Sequence, residues 1–157
     1  MIKITLSTSL QSLHYRIVNR ILPTNTFLLR AGLTDSNLCT FCNVALETLD
    51  HLFMNCGKVR EFISKIKSML LQKYKFHITS EQINCVFPDD NERTVIGLIS
   101  IIAIQCIWFS KLGQRELEVR RFESVLRSHY SIERYIGQMN NKYEQWHLKW
   151  DEHKVIC

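Results

Sequence analysis

The chain has 157 residues, a length typical of one domain and sufficient to bury a sizeable core. Apolar residues make up 46% of it and charged residues 22%, which excludes a chain that is disordered by composition. Only five Gly and two Pro occur, so long helices are favoured. We expect a single domain spanning residues 1–157.

Charge is distributed unevenly along the chain. The net charge is +5, yet no acidic residue precedes Asp35, and the stretch from Lys58 to Lys75 has Glu61 as its one acidic residue. Two such basic stretches indicate a polyanionic partner such as nucleic acid, RNA or DNA. The alternative is a solvated helix face, which describes most charge runs.

Six cysteines occur, and the N-terminus lacks the continuous apolar segment of a secretory signal peptide. We therefore expect reduced thiols in an intracellular protein rather than disulfides.

Two helices are predicted at the N-terminus. Residues 9–22 carry Leu10, Leu13 and Ile17 at helical spacing, and Pro23 ends that pattern. A second, short helix is predicted from Thr24 or Asn25 through Arg30, with Gly32 as its stop.

The next segment contains a metal-binding pattern. Cys39, Cys42, His51 and Cys56 form Cys-x2-Cys-x8-His-x4-Cys, and these four side chains are typical ligands of a tetrahedral zinc ion. Thr48 is the predicted N-cap of a short helix that carries His51. The alternative is three buried thiols beside a surface histidine. With all four positions supplied by protein, the predicted site is structural, and it leaves no coordination position open for catalysis.

Further helical segments are predicted after this motif. One is predicted at about 58–74, with apolar residues on one side and lysines on the other. Helix starts are predicted at Thr79–Gln82 and Asp89–Glu92. The uncharged run 94–109 is predicted to be the central core helix, since a membrane span needs roughly 20 apolar residues. Residues 116–150 show charged helical patterning with two apolar stripes, the second formed by Ile132, Tyr135, Ile136 and Met139.

The predicted fold is therefore all-α: a helical domain around one long apolar helix. It contains a small zinc-stapled loop module at about 33–57 and a helical C-terminal tail at about 116–157. No membrane partner and no small-molecule substrate are expected.

Several side chains near the motif are candidates for nucleic-acid contact. Phe41 is a candidate for base stacking, with packing onto the core as the alternative, whereas Phe53 is assigned to the core by its apolar neighbours. The candidate phosphate contacts are Arg16, Arg20, Arg30, Lys58 and Arg60.

A family resemblance is carried by the run from Tyr15 to Asn25, Leu28, Gly32, the run from Asp35 to Cys42, the run from Glu47 to Phe53, and Cys56. These residues resemble the zinc-binding region that follows the reverse transcriptase domain in non-LTR (LINE-type) retrotransposon polyproteins. The tail resembles the end of such proteins more loosely, in Ile132–Ile136, Asn140–Lys142, Trp146, Lys149 and Trp150. Gly57 and Phe62 depart from the family pattern, where Pro and Trp are frequent.

The resemblance implies an accessory domain that helps a polymerase hold template RNA or target DNA. It also implies one zinc ion bound by Cys39, Cys42, His51 and Cys56. The polymerase and endonuclease portions are absent from the chain, so we expect no enzyme activity from it alone. Expected partners are nucleic acid and the polymerase portion of the parent element. The alternative function is a helical protein-interaction domain with purely structural zinc.

Overall fold

The computed structural model describes residues 7–79, 95–141, 144, 146, 147 and 150. Over these residues the predicted all-α class is confirmed, with an isolated bridge between Leu38 and Leu46 as the one β-type pairing. The predicted helix starts at Thr79–Gln82 and Asp89–Glu92 lie outside the described residues, apart from Thr79. The helices are α1 (Thr8–Val18), α2 (Asn25–Arg30), a π-helical turn (His51–Asn55), α3 (Gly57–Tyr74), α4 (Val95–Leu112) and α5 (Val119–Met139).

Helix α1 is shorter than its apolar periodicity predicts. It ends at Val18 instead of Leu22, so the predicted C-terminal boundary is wrong. The amide of Ile21 donates to the carbonyl of Arg16 at 2.9 Å, which is the hydrogen bond of a Schellman cap. Arg20 occupies the left-handed position of that cap, with φ 55. Glycine usually takes this position, so no residue type in the sequence marks the stop.

Helix α2 has the predicted bounds and the predicted stop. Its cap is again of the Schellman type, with the Leu33 amide donating to the Leu28 carbonyl at 2.9 Å. Here the left-handed residue is Gly32, with φ 69. Gly adopts this conformation without steric cost, so the C-terminal end of α2 could be predicted from the sequence.

Helix α4 is the centre of the core, as predicted. Leu98, Ile99 and Ile102 are completely buried, and 78% of the helix lies inside the fold. By length and composition the helix is apolar enough to cross a membrane, but its burial is that of a core helix. It packs against α1 and α5, and α3 packs against α5 and the π-helical turn.

A polar cluster joins α3 to α5. The Glu123 carboxylate accepts hydrogen bonds from Lys73 Nζ at 2.7 Å and from the Tyr74 hydroxyl at 3.1 Å. Arg127 Nη2 donates to the same carboxylate at 3.0 Å. The hydrogen bond from Lys73 is the main cause that lowers the pKa of Glu123 below its usual value.

The two apolar stripes of α5 differ in burial. Phe122 and Leu126 of the first stripe are fully buried, whereas Ile132, Tyr135 and Met139 of the second are exposed. That half of α5 turns Glu133 inwards, where its Oε2 accepts a hydrogen bond from Trp150 Nε1 at 3.1 Å. Aromatic residues of the tail therefore cover a face of α5 that the apolar pattern does not predict to be buried.

Candidate metal centre

The four predicted ligands converge on one point. Their ligand atoms all lie within 4.8 Å of one another, and Cys39 Sγ is 3.9 Å from Cys56 Sγ. Cys42 Sγ is 3.4 Å from His51 Nε2. Around a tetrahedral zinc ion with usual bond lengths, two sulfurs are about 3.8 Å apart and a sulfur and a nitrogen about 3.5 Å. The spacing therefore fits one zinc ion, and 3.9 Å is far too long for a disulfide.

A tight turn presents the first two cysteines. The amide of Asn43 donates to the Cys39 carbonyl at 2.9 Å, and the amide of Cys39 donates to the Ala45 carbonyl at 2.8 Å. Asn43 takes the left-handed conformation with φ 53, which Asn tolerates better than most residues. The chain thus reverses between the two sulfurs, which brings both to the same side of the loop.

Backbone amides set the electrostatics of these sulfurs. The Ala45 amide is the largest cause that lowers the pKa of Cys42 to about 6, with Val44 and His51 also contributing. Burial raises the pKa of Cys39 to about 12, although the amides of Cys42 and Phe41 act in the opposite direction. In this folded loop without zinc, Cys42 is therefore a thiolate at neutral pH, whereas Cys39 must lose a proton to bind zinc.

The π-helical turn explains the spacing between His51 and Cys56. In an α-helix, residues five apart point in widely different directions, because each residue turns by about 100°. Here the Cys56 amide donates to the His51 carbonyl at 2.8 Å, which widens the turn and brings the two residues to the same side. Thr48 caps this segment as predicted, accepting a hydrogen bond from the His51 amide at 3.1 Å.

The chemistry of this site is structural. Two buried cysteines, one half-buried cysteine and one half-buried histidine supply all four positions of a tetrahedral zinc ion. Structural zinc contributes an apparent ~10–16 kcal/mol in small zinc fingers, which exceeds the usual stability of a domain. The ion would therefore hold the loop from Cys39 to Cys56 in its folded form.

Glu47 connects this loop to the rest of the fold. Its side chain is fully buried, and its Oε1 accepts a hydrogen bond from the Asn25 amide at 2.9 Å. Its Oε2 accepts hydrogen bonds from the amide of Thr40 at 2.8 Å and from the Thr40 hydroxyl at 2.7 Å. Because Thr40 lies between Cys39 and Cys42, Glu47 fixes the turn that presents both sulfurs.

Lys111, at the end of the core helix, supplies the counter-charge. Its Nζ lies 3.3 Å from Glu47 Oε1 and 3.3 Å from Asn25 Oδ1. It also lies 5.3 Å from the centre of the Trp108 ring, within range of a cation–π interaction. Sequence reasoning assigned no role to Glu47 or Lys111. The available signal was weak: Lys111 is the first charged residue after the long uncharged run of α4.

The other predicted site residues occupy different environments. Arg20 pairs with Asp50 at 2.6 Å, and Arg60 Nε donates to the Met54 carbonyl at 3.1 Å. Phe53 is buried, which confirms its assignment to the core. Phe41 and Arg16 are half-buried, and Arg30 and Lys58 are exposed, so their contacts with nucleic acid stay predictions.

Comparison with protein families gives a match to the family described as zinc-binding in reverse transcriptase, over residues 2–62. This segment contains α1, α2, all four zinc ligands and the first turns of α3. Comparisons with curated proteins and with solved structures give no significant match. That family is an accessory zinc-binding domain and not a catalytic one. The match over residues 2–62 is therefore consistent with a zinc-binding region of the reverse transcriptase type, the family that the sequence resemblance implied.

Proposed function

We propose that the zinc-binding region and the basic segments beside it bind nucleic acid, RNA or DNA, as an accessory module of a LINE-type reverse transcriptase. The attachment of two basic segments to opposite ends of the zinc-binding turn carries this proposal. At one end, Arg20 follows α1 and pairs with Asp50 at 2.6 Å. At the other end, Arg60 of α3 donates to the Met54 carbonyl at 3.1 Å. Zinc would thereby hold two cationic segments in a fixed relation.

Cationic groups remain available for phosphates around this turn. Arg16, Arg30 and Lys58 form no salt bridge among the described residues. A lysine or arginine that is not neutralised by a carboxylate releases counterions from nucleic acid when it contacts a phosphate, and this release favours binding.

Fluorescence anisotropy with labelled single-stranded RNA, structured RNA and duplex DNA, titrated at several salt concentrations, tests the proposal. Three phosphate contacts on a single strand predict a slope of log K against log [salt] of about −2. Lys58→Gln should make the slope less steep by somewhat under one. Lys73→Gln is the matched control, because Lys73 is already paired with Glu123 at 2.7 Å.

Two results would contradict nucleic-acid binding: no association at low salt with any of the three probes, or an affinity that does not depend on salt. Equal effects of Lys58→Gln and Lys73→Gln on the salt slope would contradict the proposed contact between Lys58 and a phosphate.

A second candidate function is protein interaction, with the polymerase portion of the parent element as the partner. Exposed apolar side chains on α1, α2 and the following loop favour it, since Tyr15, Phe27 and Leu33 are each more than half exposed. Calorimetry of the chain against that polymerase portion tests this candidate. Phe27→Ser and Leu33→Ser should each weaken the association, whereas unchanged binding by both variants would exclude these residues from the contact.

A further inference from the structure

A cleft of about 210 Å³ lies beside the zinc loop. Phe41, between the first two zinc ligands, forms one wall, and the first turns of α3 form another. Glu116 and Leu117, in the loop that precedes α5, close the third side. Three segments that are distant in sequence therefore meet around one small opening.

Apolar side chains line part of the cleft, and two of them are aromatic. Phe62 is buried beneath it, and Leu117 is half-buried at its side. Phe41 packs against the core but keeps part of its surface exposed. An aromatic side chain that lines an open cleft offers a stacking surface to a flat ring, and every nucleobase provides such a ring.

The rim of the cleft carries both signs of charge. Lys65 is paired with Glu61 at 2.7 Å, which leaves Lys58 as a rim cation without a salt bridge among the described residues. Glu116 also lines the cleft. A phosphate would be placed at Lys58, and carboxylates can accept hydrogen bonds from the amino group of a base.

The size of the cleft limits its ligand. About 210 Å³ is below the roughly 300–1,000 Å³ of pockets that enclose drug-sized ligands. The cleft suits one flat ring whose sugar and phosphate stay outside.

Hydrogen bonds hold the third wall of the cleft in place. The Ser110 hydroxyl donates to the Glu116 carbonyl at 3.4 Å, and the Arg115 amide donates to the Ser110 carbonyl at 2.8 Å.

We infer that this cleft binds one unpaired, amino-bearing nucleobase of a single strand, stacked on Phe41 with its phosphate at Lys58. This inference rests on the proposed nucleic-acid binding and adds the ligand, an extruded or single-stranded base, and its position. A duplex cannot supply such a base without unpairing it, so single strands bind more tightly than duplexes.

Phe41→Leu tests the stacking contact, because leucine keeps the apolar packing but removes the aromatic face. Affinity for a short single-stranded RNA, measured by anisotropy, should fall roughly 5- to 150-fold. A 2-aminopurine placed within that RNA should brighten when the wild-type protein extracts it from its stack with neighbouring bases. This increase should be absent with Phe41→Leu. Phe27→Leu is the matched control, since Phe27 is an exposed aromatic residue of the same region that does not line the cleft.

The amino-group preference has its own measurement. Cytosine carries an amino group and uracil does not, so oligo(rC) should bind more tightly than oligo(rU). Glu116→Gln should reduce this difference in affinity. Equal binding of the two strands by the wild type would overturn the assigned ligand.

Zinc content of about one equivalent per chain in each variant shows that the fold is intact. If the wild type binds RNA and a zinc-loaded Phe41→Leu variant binds it equally well, the cleft inference is overturned and the proposed function stands. If Phe41→Leu fails to fold, the wild-type 2-aminopurine signal decides, and no brightening overturns the inference. Absence of all nucleic-acid binding by the wild type overturns the proposed function itself.

Discussion

Replacing Lys111 by Met should destabilise the zinc-loaded protein by about 3 kcal/mol. Lys111 Nζ lies 3.3 Å from Glu47 Oε1, and the two side chains are 6% and 0% exposed. Methionine preserves much of the apolar stem but leaves the Glu47 carboxylate buried without a counter-charge. Removing one partner of a buried ion pair costs roughly 3–5 kcal/mol. The hydrogen bonds that Glu47 keeps with Asn25 and Thr40 place the expected value at the lower end.

Thermal unfolding of the zinc-loaded protein measures this effect. For a chain of this length, 3 kcal/mol corresponds to a fall in Tm of about 6–12 °C. Zinc retention provides a second measurement. Glu47 fixes Thr40 between two of the ligands, so Lys111→Met should also lose zinc at a lower concentration of a competing chelator.

Lys65→Met is the matched control. Lys65 is also paired with a glutamate, Glu61 at 2.7 Å, but both side chains are more than half exposed. Exposed pairs contribute little to stability, so this variant should leave the Tm unchanged. Equal Tm values for Lys111→Met and Lys65→Met would show that the buried network does not stabilise the zinc loop, and would refute the reasoning.

Two further outcomes are expected from local structure. Immediately after zinc is removed at pH 7, while the loop still has its folded form, iodoacetamide should modify Cys42 before Cys39, because their pKa values in that form are about 6 and about 12. The difference should shrink as the pH falls below 6, where Cys42 gains its proton, and equal labelling at pH 7 by peptide mass spectrometry would contradict the assignment. Gly32→Ala should cost about 1 kcal/mol in urea unfolding, since φ is 69 there and no atom would contact the new Cβ. Gly57→Ala, at a position equally free of contacts but without a positive φ, should cost nothing, and equal losses in both variants would exclude backbone strain as the cause.

Much of the fold was predictable because helices and their caps are local. The apolar spacing of α3 and the uncharged run of α4 located both helices, and Gly32 marked the end of α2. The end of α1 was missed for a local reason of a different kind. Arg20 adopts a conformation that its residue type does not favour, and its side chain pairs with Asp50, far along the chain.

The amino-acid sequence by itself predicted which four side chains would come together as a possible zinc site. Four residues of the right types at a restrictive spacing leave few arrangements other than one tetrahedral ion, and the ligand atoms do converge. The π-helical turn that brings His51 and Cys56 to the same side was not predictable, because its hydrogen bonds differ from those of an α-helix by one residue and leave the apolar pattern almost unchanged.

Only the tertiary structure decided how the zinc loop is joined to the core. Glu47 and Lys111 each look like surface residues in the sequence, and both become buried because α4 ends beside the loop. The cleft next to Phe41 likewise exists because the loop that precedes α5 returns to the start of α3. Periodicity reports which face of an element is apolar. It does not show which residue from a distant part of the chain will contact a given charged side chain. That contact determines whether the charged side chain is buried and stabilises the fold or stays in solvent.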